Sequence, residues 1–103
     1  MVSLGPHSHR KSVLLVDDAD AARTTFAALL EDAGYEVEEA ESLASARALL
    51  RARRYDVALL DLELPDGLGS ELTPELARAK PPTLIAIMTG HAPQHVAAAR
   101  DRS

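Results

Sequence analysis

A chain of 103 residues with 47% hydrophobic side chains is sized for one domain with its own core, which excludes global disorder. Sixteen acids against eleven Lys and Arg give a net charge of -5, which argues against a protein that grips nucleic acid by its phosphates. Cysteine is absent, so there is no disulfide, thiolate metal site or thiol nucleophile, and no apolar run approaches the roughly 20 residues of a membrane span; a soluble, cytoplasmic protein is expected.

Residues 1–11 are Gly, Pro, Ser and His with two basic residues and no periodicity, which predicts a flexible leader. They carry no apolar h-region and so do not form a signal peptide. His7 and His9 lie in this leader, where solvated side chains are the expectation rather than a metal pair.

Ser12 to Val16 (SVLLV) is too short for a helix and unbroken enough for a strand buried on both faces. It runs into Asp17-Asp18. A helix is expected from Asp20, an acid that suits a first turn, with apolar residues at Ala22, Phe26, Leu29, Leu30 and Ala33 and a stop at Gly34. Tyr35 to Ala40 alternates loosely and predicts a second, more exposed strand. Ser42 is placed to cap the next helix, whose apolar stripe runs through Leu43, Ala46, Leu49, Leu50 and Arg53. Arg47, Arg51 and Arg54 fall mostly off that stripe. They read as a solvated face or as a docking patch for an acidic partner.

Val57 to Leu60 is a third buried run, and it ends in one carboxylate, Asp61. A loop rich in turn residues (Pro65, Asp66, Gly67, Gly69) follows, then a short helix over Ser70 to Ala79 with Pro74 in its first turn. Thr83 to Met88 (TLIAIM) predicts a fourth buried strand, running into Thr89-Gly90-His91, and a last helix is expected from about Pro93 to Arg100. Strand and helix thus alternate four times, the order of an α/β domain with a parallel sheet and right-handed crossovers.

In such a sheet all carboxyl ends lie on one edge, so Asp17, Asp18, Asp61 and Thr89 can converge there. Any one of them alone reads as a helix cap. Their coincidence at successive strand ends points instead to chemistry. Crowded carboxylates raise one another's pKa unless a cation lies between them. With oxygen ligands only, that cation is hard: Mg²⁺, or Mn²⁺ in its place. A carboxylate beside it can act as nucleophile in an in-line phosphoryl transfer, yielding an aspartyl phosphate.

Three segments, VLLVDD, LLDLELPDGLG and IAIMTGHA, resemble in order and spacing the receiver domain of bacterial two-component response regulators. The resemblance runs from about Ser12 to the end, and it implies a domain over residues 12–103. It implies a flavodoxin-like doubly wound sheet of strand order 2-1-3-4, with the family's fifth strand and helix missing. It implies Asp61 as phosphoacceptor, charged by a phosphohistidine on a sensor histidine kinase or a phosphotransfer protein. Asp18 would hold Mg²⁺ directly with Asp61, Asp17 largely through water, and Glu63 would lend its backbone carbonyl. Thr89 would bond a phosphoryl oxygen and move inward on phosphorylation, while Gly90 would permit close backbone approach.

The resemblance also implies a lysine at the end of the fifth strand, and no residue here fills that role, since Lys80 precedes the fourth strand. The chain therefore reads as a receiver cut short, with a slower reaction expected. Its fourth strand is left as a hydrophobic edge through which two copies can pair. Two other readings stand beside the phosphoacceptor module, which catalyses only its own phosphorylation and dephosphorylation. One is an interaction module on the same fold that needs no phosphorylation. The other is an aspartyl-phosphate phosphohydrolase, with Glu63, two residues after Asp61, as general acid and base. No membrane or direct nucleic-acid contact is expected.

Overall fold

The computed structural model of the chain describes residues 10–88. Strand β1, Ser12–Val16, is buried at every position, as expected of a run with no polar side after Ser12. It lies at the centre of a four-stranded sheet, between β2 (Glu36–Ala40) and β3 (Val57–Asp61). Two two-residue strands, β4 (Glu63–Leu64) and β5 (Gly67–Leu68), form a small antiparallel hairpin directly after β3. The last strand, β6 (Leu84–Met88), pairs with β3, so the order is β2-β1-β3-β6 and all pairings in the main sheet are parallel. This is the flavodoxin-like α/β architecture and the order 2-1-3-4 expected from the sequence, with β6 as the fourth main strand.

The helices cover both faces. Helix α1 spans Asp20–Asp32, α2 spans Leu43–Ala52, and α3 spans Thr73–Arg78 after a 3-10 turn at Gly69–Leu72. On one face Leu14 and Val16 of β1, with Ala58 and Leu60 of β3, meet Leu43 and Ala46 of α2 and Leu72 and Leu76 near α3. Val13 and Leu15 alternate to the other face, where α1 lies. Tyr55, just before β3, is fully buried in the first of these layers. Its hydroxyl bonds the Glu38 carboxylate, and burial with that bond raises the phenol well above its ordinary value.

Several expectations are corrected. Of the stripe expected on α1, Phe26 and Leu30 are half-buried, whereas Ala22, Leu29 and Ala33 are exposed. Ala27 is the buried residue, Arg23 and Leu30 are half-buried one turn to either side, and Leu29 is 62% exposed. Arg23 shares that face, carrying its stem inward with its side chain only 13% exposed. Its guanidinium then bonds Asp20 at 2.9 Å, Glu39 at 3.0 Å and the Asp17 carbonyl at 2.7 Å. Arg53 does not extend the stripe of α2; it lies past the helix end in extended backbone, with its guanidinium 4.7 Å above the Tyr55 ring. The helix expected over Ser70 to Ala79 is split, its first half a 3-10 turn, and Pro74 sits in the first turn of α3. β6 is only half-buried because it is an outer strand among the described residues, and Leu84 is 71% exposed. Ser42 caps α2 as expected, accepting from Ser45 N–H at 3.1 Å. The leader's residues 1–9 and the helix expected from Pro93 lie outside the described residues.

The amino-terminal edge of the sheet is tied by one carboxylate. Asp56 accepts from the backbone N–H of Ser12 at 2.8 Å and from its hydroxyl at 3.1 Å, and pairs with Arg54 at 2.9 Å. Its own backbone bonds Ser12 and Leu84, so three strand starts meet on it. The Ser12 N–H, assisted by Arg54 and the Ser12 hydroxyl against the opposing effect of burial, holds the Asp56 carboxyl below the usual carboxylate range. A depressed folded value stabilises the fold above the unfolded value and loses that contribution as pH falls through the folded one. Asp56→Asn is therefore expected to destabilise the chain by about 1–3 kcal/mol at neutral pH. In denaturant titrations the gap to wild type should close as pH drops below about 4; a gap independent of pH would contradict this account.

Candidate functional site

At the carboxyl edge of the sheet the chain does the opposite of what it does at Asp56. β1 ends in Asp17 and Asp18, β3 ends in Asp61, and the two strands are direct neighbours. One carboxylate oxygen from each of Asp17, Asp18 and Asp61 lies within 4.8 Å of the other two. Asp61 is buried at 6% exposure, Asp17 is half-buried and Asp18 is exposed. Burial pushes the Asp61 carboxyl up; the N–H of Glu63, which donates to its Oδ1 at 3.3 Å, pulls it back, and the charges of Asp17 and Asp18 push it up again. Two unit charges about 4 Å apart repel by about 1 kcal/mol in water and about 4 kcal/mol near a protein surface. Three such groups are held together only because the fold imposes it. The site can hold a metal ion, and its donors, all oxygen, suit a hard divalent cation.

The rest of the neighbourhood fixes these groups in place, and most of it is not apparent from the sequence. Arg23 bonds the carbonyl of Asp17, and the Asp17 side chain accepts from Ala19 N–H at 2.9 Å, so the first turn of α1 is tied to the end of β1. A Cβ on Gly69 would overlap the backbone carbonyl of Asp61, so only glycine lets the chain return against β3. The N–H of Gly69 bonds the Leu62 carbonyl at 2.8 Å, and the N–H of Leu62 bonds Met88 at 2.9 Å. Asp66, at the tip of the β4–β5 hairpin, accepts from the N–H groups of Leu43 at 2.8 Å and Ala44 at 3.0 Å. It is thus a second cap for α2, and those two N–H groups lower its carboxyl below the ordinary value. Gly67 follows with φ +148, and a side chain there would meet Leu43.

Of the residues singled out from sequence, Asp17, Asp18 and Asp61 are brought together. Glu63 lies beside them with an exposed side chain, in contact through its backbone N–H. Thr89 and Gly90 lie outside the described residues, although Met88, the residue before them, is the register partner of Asp61. Arg23, Gly69 and Asp66 were not expected to serve the site. The Pro65-Asp66-Gly67 turn is the one signal that pointed near any of them.

Residues 13–101 match the response regulator receiver domain family. Among relatives, the photosynthetic apparatus regulatory protein RegA of Rhodobacter capsulatus is 36% identical over 81 residues, which are 79% of this chain and 44% of RegA. The chain spans less than half the length of this relative. Among solved structures, a CheY-like receiver domain protein of Methanospirillum hungatei superposes with a TM-score of 0.73 at 31% identity, covering 86% of this chain and 71% of that one. A response regulator of Burkholderia pseudomallei carrying a phosphorylated aspartic acid and a calcium ion gives 0.71 at 29% identity, covering 89% and 54%. The response regulator TrrA of Thermotoga maritima, solved with Mg²⁺ and beryllium fluoride, gives 0.71 at 30% identity, covering 80% and 71%. TrrA has also been solved in complex with the histidine kinase ThkA, at 0.70 with the same coverage. Among the described residues no helix is long and apolar enough to cross a membrane. With the fold, the acidic cluster and the match over residues 13–101 in agreement, the chain belongs to the family of response regulator receiver domains.

Proposed function

We propose that this receiver domain is a phosphoacceptor module of a two-component pathway and that Asp61 takes the phosphoryl group from a phosphohistidine of a sensor histidine kinase or phosphotransfer protein. The observation that carries the reading is the convergence of Asp17, Asp18 and Asp61, with the buried Asp61 at the end of the central strand pair. A carboxylate oxygen of Asp61 attacks phosphorus as the P–N bond to the donor histidine breaks, and the product is an acyl phosphate. The histidine leaves as neutral imidazole once protonated. The module turns over only its own phosphorylation and hydrolysis, in the cytoplasm, without contacting DNA or membrane.

Bound at the cluster, Mg²⁺, or Mn²⁺ in its place, supplies positive charge that offsets the carboxylates and the incoming phosphoryl oxygens. Asp18 and Asp61 would hold it directly, Asp17 would hold it largely through water, and Glu63 would offer its backbone carbonyl. The Glu63 N–H contacts Oδ1 of Asp61 at 3.3 Å, and Gly69 packs against the Asp61 backbone carbonyl, so the acceptor is presented from a closely packed strand end. By the family resemblance, Thr89 would donate its hydroxyl to a phosphoryl oxygen and Gly90 would permit close backbone approach; both follow Met88, outside the described residues. The phosphorylated aspartate of the Burkholderia protein and the kinase complex of TrrA support the same assignment.

The test is intact mass after incubation with acetyl phosphate and Mg²⁺. Wild type should gain one phosphoryl group, and Asp61→Asn or added EDTA should abolish the gain. No adduct on wild type would leave a phosphorylation-independent interaction module, and steady phosphate release over many turnovers would indicate a hydrolase.

Asp18→Asn separates the cost of the cluster from its use. Without metal, this substitution relieves repulsion and should raise the melting temperature slightly, by the equivalent of about 1 kcal/mol or less. Mg²⁺ at ten times its Kd should stabilise wild type by about 1.4 kcal/mol and Asp18→Asn far less. A variant that is destabilised in EDTA, or that keeps the full Mg²⁺ effect, would contradict the assignment of Asp18.

A further inference from the structure

The basic residues of α2 do not face solvent singly. At the amino-terminal edge of the sheet, opposite Asp61, they line one side of a cleft of about 400 Å³ whose other side is the end of α3 and the turn after it. Six cations, Arg47, Arg51, Arg53, Arg54, Arg78 and Lys80, border this cleft against a single carboxylate, Glu75. Three of the six are compensated locally: Arg47 by Glu75 at 2.7 Å, Arg54 by Asp56 at 2.9 Å and Arg53 by Glu36 at 3.5 Å. Arg51, Arg78 and Lys80 have no ion-pair partner among the described residues. Three positive charges without an ion pair among the described residues therefore line one concavity, with Glu75 as an opposing charge near Arg78, in a chain whose net charge is -5.

Arg51 and Arg78 each stand in the last turn of a helix, where a cation favourably meets the helix dipole. That explains either residue alone but not why two helix ends and Lys80 share a cleft. Two of the compensated arginines are built in as walls. Arg54 donates through Nε to the Pro81 carbonyl at 2.6 Å while bonding Asp56, and Arg47 donates through Nε to Glu75. The cleft is the size of a small-molecule site rather than of a flat protein contact. Guanidinium forks match phosphate oxygens in pairs, and Lys80 adds a point charge. We infer that this cleft binds an oligophosphate group, either inorganic pyrophosphate or the diphosphate of a nucleotide, with Arg51, Arg78 and Lys80 as its principal contacts. A diphosphate carries close to the charge that Arg51, Arg78 and Lys80 bring to the cleft, of which a monoanion would offset only one. The site is separate from the phosphoacceptor cluster, since Arg54 and Pro81 precede the strands that Asp61 and Met88 end.

The test is titration of the whole chain with inorganic pyrophosphate, ADP and adenosine in EDTA, followed by amide chemical shifts. Pyrophosphate and ADP should bind saturably and adenosine should not, with shifts concentrated at residues 47–54 and 78–83. A much tighter affinity for ADP than for pyrophosphate would identify a nucleotide as the source of the diphosphate. Arg51→Gln combined with Lys80→Gln, both exposed positions, should weaken binding by at least about ten-fold. Asp61→Asn should leave it unchanged. Sulfate at equal ionic strength matching pyrophosphate, no saturation, or an unaffected double variant would overturn the inference. So would binding of a poly-glutamate peptide where pyrophosphate fails, which would make the cleft a protein-docking surface instead.

Discussion

The constraint on which the rest depends is the forced proximity of three carboxylates at the ends of two adjacent parallel strands. Parallel pairing of β1 with β3 places their carboxyl ends on one edge, and both runs end in aspartate. The sheet's core, with Leu14, Val16, Ala58 and Leu60 fully buried, fixes that register more strongly than the acids can oppose it. Burial of a Val or Leu side chain is worth about 1.5–3 kcal/mol, and Val13, Leu14, Leu15, Val16 and Leu60 are all buried, a gain of the same order as, or larger than, the cost of three repulsive pairs at about 1–4 kcal/mol each. The fold can therefore hold the acids in an unfavourable arrangement, and a cation is the natural relief.

The opposite edge shows what the same chemistry looks like when it serves stability. Asp56 is as close to strand starts as Asp61 is to a strand end, yet it has the Ser12 N–H, the Ser12 hydroxyl and Arg54 around it. Its carboxyl is held below the ordinary range, whereas that of Asp61 is pushed above it. The difference lies in partners rather than in residue type. One carboxylate is supplied with donors; the other has one long backbone contact and two like charges.

This contrast also explains what was legible in the sequence. The apolar runs and their order defined the sheet, and the acids at the strand ends were visible because each run stops abruptly. The supporting residues were not. Arg23 sits in a helix whose apolar pattern gives no hint of a half-buried arginine, and only its reach to Asp17, Asp20 and Glu39 shows what it holds. Gly69 reads as one more loop glycine until its position against the Asp61 carbonyl is known. Asp66 looks like a turn residue, and its second role as a cap for α2 depends on an element twenty-three residues earlier. Contacts between elements leave no periodic trace.

These supports differ in how much freedom they leave the three acids, and that bears on how the site responds to charge. Asp61 is constrained mainly through its backbone: Gly69 packs against its carbonyl, Asp66 ties the hairpin that follows to α2, and its carboxylate has the one 3.3 Å contact from the Glu63 N–H. Asp17 is held through its carbonyl by Arg23 and through its side chain by Ala19 N–H. Asp18 is the exposed member of the three and carries no such bond among the described residues. Of the three acids, Asp18 is thus the one with most room to move when the charge at the cluster changes. A firmly packed Asp61 beside a freer Asp18 would suit the in-line transfer proposed for this site.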